Sequence, residues 1–381
     1  MDFSLIRNDL RAKFICIILT LKNQIMPKIE NRLNGEVIAT VNTGVSPTAM
    51  AITSDSSKLY VANSNNYSIS GSDSVTLIDL DNQMPLQTIK DGSFNQPYTV
   101  ILSHDEKKLY VTNSNSTTIS VVDVVTNKVI SVIDGFNGPS GMVISPDGTT
   151  AYVNNYGAIS TMPSGEGNTV TVVDLTTEKI IKRIRLSEYG QFPAAPAVIA
   201  ISPKGDFVYT ANYVTGNPGS GSITKIETKH NTVVDTIFGV FGPFSMVIDS
   251  KGEKAYLTNF GSNNFAPYGE TVSVLDLASF TLNTPEINTG GIQPAGFAIT
   301  TDGKYGFVSN YNTLYSSGAP NFTGLTAGQG TVNVIDLSTN ELVALTINVG
   351  QSPGSIIMSP NGQYAVVSNY TSNTVTVISV Y

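Results

Sequence analysis

Apolar residues along this chain come in short runs of five or six, rich in Val, Ile, Tyr and Thr and bounded by Pro, Gly, Asn, Asp or Ser. Such runs predict many short β-strands joined by tight turns. The runs also keep register with one another. Seven prolines, Pro47, Pro97, Pro139, Pro196, Pro243, Pro294 and Pro353, each stand sixteen positions before an asparagine, Asn63, Asn113, Asn155, Asn212, Asn259, Asn310 and Asn369. Between each pair lie an apolar strand, a turn such as Ser145-Pro146-Asp147-Gly148, and a second strand such as Tyr110-Val111-Thr112-Asn113. The unit is a β-hairpin of fixed length. Pro presets φ at the first turn position, Asp bonds the local backbone, and Gly accepts the positive φ that closes the turn. Residues 55–57 and 105–107 lack that Gly, which predicts looser turns there.

After each asparagine comes a loop of variable length and then a strand of the Thr-Val-x-Val-Ile-Asp type: residues 75–79, 119–123, 170–174, 223–227, 272–276, 332–336 and 375–379. A fourth strand usually follows, as at Lys128–Ile133. Repeats measured between asparagines run from 42 to 59 residues. Four antiparallel strands at such a period predict an all-β fold, a seven-bladed β-propeller. The seventh repeat ends at Tyr381, straight after its third strand, whereas Glu36–Val41 reads as a fourth strand with no blade of its own. The N-terminal strand is therefore expected to complete the last blade and to remove the two edges an open ring would expose. Residues 35–381 form the propeller on this reading, with 1–34 a separate extension.

Charge changes the picture at that extension. The chain of 381 residues carries −8 overall, yet residues 1–34 hold six Lys/Arg against three Asp/Glu. Its apolar run, Phe14 to Leu21, is too short for a membrane span, for which roughly 20 residues are needed. It reads as a leader without an evident cleavage pattern, as an amphipathic helix lying on the fold, or as sequence upstream of a start at Met26. No Lys/Arg stripe is present to hold nucleic acid. Cys16 is the only cysteine, which excludes a disulfide framework.

Tyr110-Val111-Thr112-Asn113 spells Y-V-T-N, and Tyr60–Asn63, Tyr152–Asn155 and Tyr256–Asn259 are close variants. Over residues 36–381 the chain resembles the YVTN family of β-propeller repeats. Tyr209-Thr210-Ala211-Asn212, and Phe307 and Val366 in place of Tyr, depart from the pattern mildly. The resemblance implies architecture more than chemistry. It also implies a prokaryotic protein that is secreted, periplasmic or at the cell surface, with the cytoplasm as the alternative.

In a repeat protein, a residue type found in every copy serves the shared blade, so a unique site must be built where the pattern breaks. The seven asparagines are expected to bond backbone groups at the loop entrances. Asp79, Asp123, Asp174, Asp276 and Asp336 are expected to bond backbone N–H groups in the turns between third and fourth strands. His104 and His230 fall in turns at the opposite end of the ring from the long loops, so neither suits catalysis. With two His and one Cys, no transition-metal site and no cofactor is expected. No nucleophile elbow or phosphate-cradling loop stands in a strand-to-helix context.

The informative variation is in the loops between second and third strands. Blades two and seven have four residues there, whereas blade six has twenty, Tyr311–Gly330. Long loops on a rigid scaffold are where binding residues tend to be placed. The candidate binding residues at this end are Tyr156, Glu166, Tyr213, Phe260, Phe265, Tyr268, Tyr311, Tyr315 and Phe322. Further aromatics there include Tyr370, Phe136, Phe192, Phe241 and Phe244, and further carboxylates Asp73 and Glu270. Aromatics amid Gly, Asn and Ser suit recognition of protein or carbohydrate. For the aromatics that directly follow an asparagine, the plainer reading is packing against the neighbouring blade. The leading expectation is a monomeric, non-enzymatic binding propeller. A propeller hydrolase, lactonase or dehydrogenase, and a purely structural surface-layer module, are the alternatives.

Overall fold

A computed structural model describes residues 33–65, 71–157, 168–186, 195–213, 221–261, 268–315 and 325–381. They form seven antiparallel blades arranged as a β-propeller, each blade running from the central channel outwards. Blade 2, for example, consists of Pro97–Leu102, Lys108–Asn113, Thr118–Asp123 and Lys128–Asp134, in that order. Among the described residues there is no α-helix, and no helix long and apolar enough to cross a membrane.

The seam closes as the pattern of strands requires. Val37–Asn42 pairs antiparallel with Thr374–Ser379 of blade 7, placing Val37 opposite Ile378 and Val41 opposite Val375. Pairing extends upstream, where the Asn34 and Gly35 amides donate to the carbonyls of Val380 and Ser379, both at 3.0 Å. Leu33 packs against the apolar cluster shared by blades 6 and 7. The propeller thus already holds Leu33 and Asn34, and residues 1–32 lie outside the described residues.

The core lies between blades. Tyr60 faces blade 2 and joins Val100, Leu109 and Val111, while its neighbours Leu59 and Val61 face blade 7 and join Val366 and Val375. A strand covered on both faces needs apolar residues at consecutive positions, which is why Lys58–Asn63 is buried from Leu59 onwards. Outer strands are less covered and alternate instead, as in Lys128–Asp134.

A ring of hydroxyls stitches the inner strands together. Thr112 donates to the Ser140 carbonyl (2.8 Å), Thr258 to Ala295 (2.8 Å), Ser309 to Gly354 (2.8 Å) and Ser368 to Thr48 (2.7 Å). In each case the residue just before the repeat asparagine reaches the residue just after the next blade's proline. Blades 6 and 7 come so close that a Cβ on Gly296 would lie 2.5 Å from the Gly354 oxygen. Ala62 and Ala211 lack the hydroxyl. At Ala62, Thr48 donates instead to the Tyr98 carbonyl (2.9 Å); farther from the channel, Lys225 of the third strand spans blades 4 and 5, its ammonium 4.4 Å from the Phe207 ring centre and 5.4 Å from Phe280.

Two sequence expectations require correction. The asparagines do hold the loop entrances, but mainly through side chains of the third strand rather than through the backbone. Asn155 donates to Thr169 and Thr171, both at 2.7 Å, and Asn369 to Thr374 (3.1 Å) and Thr376 (2.9 Å). The same pairing recurs at Asn63, Asn113, Asn212, Asn259 and Asn310, with Asn333 standing in for one hydroxyl in blade 6. A buried amide needs acceptors, and hydroxyls two residues apart on the adjacent strand supply two.

The second correction concerns the turns without Gly, which are as tight as the others. The Ser56 amide reaches Thr53 at 2.8 Å and that of Glu106 reaches Ser103 at 2.9 Å, against 2.8 Å for Gly148 to Ser145. Ser56 and Glu106 adopt the positive φ themselves, at 63° and 53°. Their side chains explain why Gly is absent. The Ser56 hydroxyl accepts the Asn361 amide of blade 7, and the Glu106 carboxylate accepts the Ser54 amide of blade 1. Each gains an inter-blade bond that Gly could not make.

The turn carboxylates act as expected. Asp123 accepts the Thr126 amide at 2.7 Å and Asp336 the Ser338 amide at 2.8 Å, and these bonds together with those from Thr126 and Ser338 hydroxyls hold both carboxyls below the usual range.

Candidate functional site: the aromatic mouth of the channel

The first strand of each blade lines the central channel, and the residue after the repeat proline faces it. In five blades that residue is small: Thr48, Ser140, Ala197, Ala295 and Gly354. Blades 2 and 5 break the pattern with Tyr98 and Phe244. The small residues leave a bore, a cavity of about 460 Å³ bounded by the first strands of all seven blades and capped by Tyr311 and Tyr370. A second cavity of about 280 Å³ opens above it on the loop-rich end, lined by Gln96, Ser114, Ser140, Tyr156, Tyr213, Pro243 and Phe260 among others. Tyr98 and Phe244 line both cavities, so they stand where the mouth meets the bore.

Around that junction the aromatics form a collar. Phe244 stacks on Phe260 with ring centres 5.0 Å apart, and Phe260 meets Tyr311 edge-on at 5.5 Å. The Tyr213 hydroxyl donates to the Gly261 carbonyl of the next blade at 3.3 Å. Of the residues after the asparagines, Tyr213, Phe260 and Tyr311 thus pack on a neighbouring blade, and all three line a cavity. Phe260 is buried, whereas Tyr156 and Phe244 remain 40% and 37% exposed.

Burial favours the neutral phenol at Tyr98, Tyr156 and Tyr311. The Tyr98 phenol is pushed up to about 12 by burial, with a smaller contribution from Tyr156 and Tyr370. Burial also raises Tyr156, next to Tyr213, and Tyr311, next to Tyr370. These phenols lie within electrostatic reach of one another and are neutral donors and acceptors at ordinary pH. None of the described residues lining either cavity is charged. Among the described residues, no three His, Cys, Asp or Glu side chains come together as metal ligands.

Four of the nine predicted site residues, Tyr156, Tyr213, Phe260 and Tyr311, are brought together here. Tyr268 opens the third strand of blade 5, Tyr268–Asp276, and Tyr315 ends one arm of a hairpin in the blade-6 loop, Thr313–Tyr315 paired with Leu325–Ala327. Glu166, Phe265 and Phe322 lie outside the described residues. Tyr98 was missed, and Phe244 and Tyr370 were noted without being placed at a site. The signal was available: aligned on the repeat prolines, the next residue reads Thr, Tyr, Ser, Ala, Phe, Ala, Gly, and two large aromatics interrupt a column of small residues.

His104 and His230 lie at the far end of the ring. His104 sits in a first-hairpin turn beside Gly148, and His230 contacts Glu227 at 2.6 Å.

No family model matches the chain, nor does any curated protein sequence. Solved structures that share the architecture number 1742 chains, so the likeness identifies a fold rather than an activity. One is a chain of hydrazine synthase from Kuenenia stuttgartiensis, similar over 88% of this chain and 96% of that one, with a TM-score of 0.70 at 23% sequence identity.

Proposed function

We propose that this chain is a binding propeller that holds a partner, protein or carbohydrate, at the loop-rich mouth of its channel without chemical turnover. The observation that carries the reading is the position of Tyr98 and Phe244. A scaffold needs only small residues at that place, as five blades show, and the two large aromatics stand where a partner entering the mouth would meet them. Exposed aromatic surface beside neutral hydroxyls and amides is the composition of a recognition surface. The Tyr-Val-Thr-Asn unit at Tyr110–Asn113 and its six variants support membership of the YVTN-type propellers, and with it an exported or surface-associated monomer.

A photo-crosslinking residue placed at position 156, on the mouth, and at position 130, on an outer strand, tests the reading. Adducts in an extract of the source cells are expected from 156 and lost when Phe244→Ala is added. Equal adducts from 130, or adducts at 156 indifferent to Phe244→Ala, would refute it.

A further inference from the structure

Resting on the reading just given, we infer that the occupant of the mouth is an uncharged saccharide, the neutral end of a glycan, with one ring entering the aromatic collar above the bore. Three observations select this class. First, no charged side chain lines the site, and Asp73, whose carboxylate accepts the backbone amide of the lining residue Gln96, is raised by burial. None of the described lining residues is ionised, and the seven loops between second and third strands contain no Lys or Arg, and three acids, Asp73, Glu166 and Glu270. An anionic group drawn into the mouth would lose its hydration and meet no positive charge, which is costly. Phosphorylated, sulfated and uronic ligands are disfavoured on that ground.

Second, the walls are amphipathic. A purely apolar ligand would cover the Tyr98 and Tyr156 hydroxyls and the Gln96 side-chain amide while offering them nothing, at about 1–3 kcal/mol for each group left unsatisfied. A pyranose presents C–H faces to aromatic rings and hydroxyls at its rim. It therefore meets both kinds of wall at once. Third, the cavities are of a fitting size. Mouth and bore, at about 280 and 460 Å³, together lie within the roughly 300–1,000 Å³ typical of small-molecule sites.

The chain has no Trp, so its intrinsic emission comes from 17 tyrosines, and Tyr98, Tyr156, Tyr213, Tyr311 and Tyr370 all belong to the collar. Tyrosine emission and calorimetry on the full chain can follow titration with neutral tetrasaccharides of glucose, mannose, galactose and N-acetylglucosamine. Glucuronate and galacturonate counterparts, choline and an aromatic peptide complete the set of probes. The expected result is saturable binding of at least one neutral tetrasaccharide, about tenfold or more tighter than its uronate counterpart. Phe244→Ala and Tyr156→Ala are each expected to weaken it about tenfold, and Tyr98→Phe, which keeps the ring and thus the fold, to weaken it by a smaller factor. Tighter binding of choline, of the uronates or of the peptide would overturn the inference. So would failure of every neutral saccharide to bind. If that failure is accompanied by crosslinks from position 156, the mouth binds something else and only the saccharide is refuted; without them, the binding reading falls as well.

Discussion

Val41 stands opposite Val375 across the seam of the ring, and both side chains are buried, at 3% and 0% exposure. This pair joins residues from opposite ends of the sequence in one four-stranded sheet, and it presents Val41 to the same apolar cluster as Met50, Leu59 and Val61 of blade 1. The N-terminal strand thus completes the packing of the last blade against the first. A β-sheet edge left open there would expose unpaired backbone groups on one side and apolar surface on the other.

Truncation should therefore be strongly asymmetric. Removing residues 1–32 is expected to leave Tm within about 2 °C, whereas removing the chain through Asn42 should lower it by more than roughly 10 °C or prevent folding. Thermal melts of the two truncations decide the matter. Equal losses would contradict the seam.

The buried asparagines should be worth far more than exposed ones. In Asn155→Ala, two hydroxyls lose their donor and the Asn137 amide loses its acceptor at 3.2 Å. A loss of about 2–4 kcal/mol is expected. Asn82, exposed in a turn and bonded to Asp79 at 2.9 Å, should cost less than about 0.5 kcal/mol when changed to Ala. Urea midpoints of the two variants give the comparison.

Acid should weaken the ring. Asp55 and Asp105 are lowered to about 2, chiefly by hydrogen bonds from the Thr53 and Ser103 hydroxyls and from backbone amides of the same turns. An unfolded Asp titrates near ~3.9, so the folded chain binds fewer protons than the unfolded chain between those values. The contribution is complete above about pH 4 and is lost as pH falls towards about 2. Tm is expected to be flat from pH 5 to 8 and to fall below pH 4. Thr53→Ala together with Ser103→Ala should flatten that fall.

Alkali should act on the tyrosines of the second strands. Burial pushes Tyr152, Tyr209 and Tyr256 up to about 12, so the folded chain keeps protons that an unfolded tyrosine releases near ~10. Stability from these groups is present below about pH 10 and is lost as pH rises through about 12. Spectroscopic titration of the phenolates should show a late, cooperative phase that coincides with unfolding. Phenolates that all formed near pH 10 with the fold intact would refute the assignment.

Local chemistry sufficed for much of the architecture. A spacing of sixteen positions from proline to asparagine defines a hairpin because strand length, turn and strand length are all set by neighbours in sequence. The orphan strand at the start and the missing one at the end made the seam legible before any contact was known. The asparagines could be recognised as structural from their recurrence, but their partners could not. Thr169 and Thr171 follow Asn155 by 14 and 16 residues across a loop of variable length, and only strand pairing aligns them.

What the chain determined by itself was thus the number of blades, their strands and the face on which irregular loops gather, because each follows from short-range pattern repeated seven times. The tertiary structure alone decided what that face encloses. Tyr98 and Phe244 lie 146 positions apart in sequence and belong to blades that are not neighbours, so their meeting at one opening is a property of the closed circle. The turns at Ser56 and Glu106 make the same point: a residue poorly suited to its local φ is kept because a backbone amide from the adjoining blade arrives beside it. Periodicity specifies each sheet, but only packing the seven sheets around one axis brings their inner edges together as a single surface.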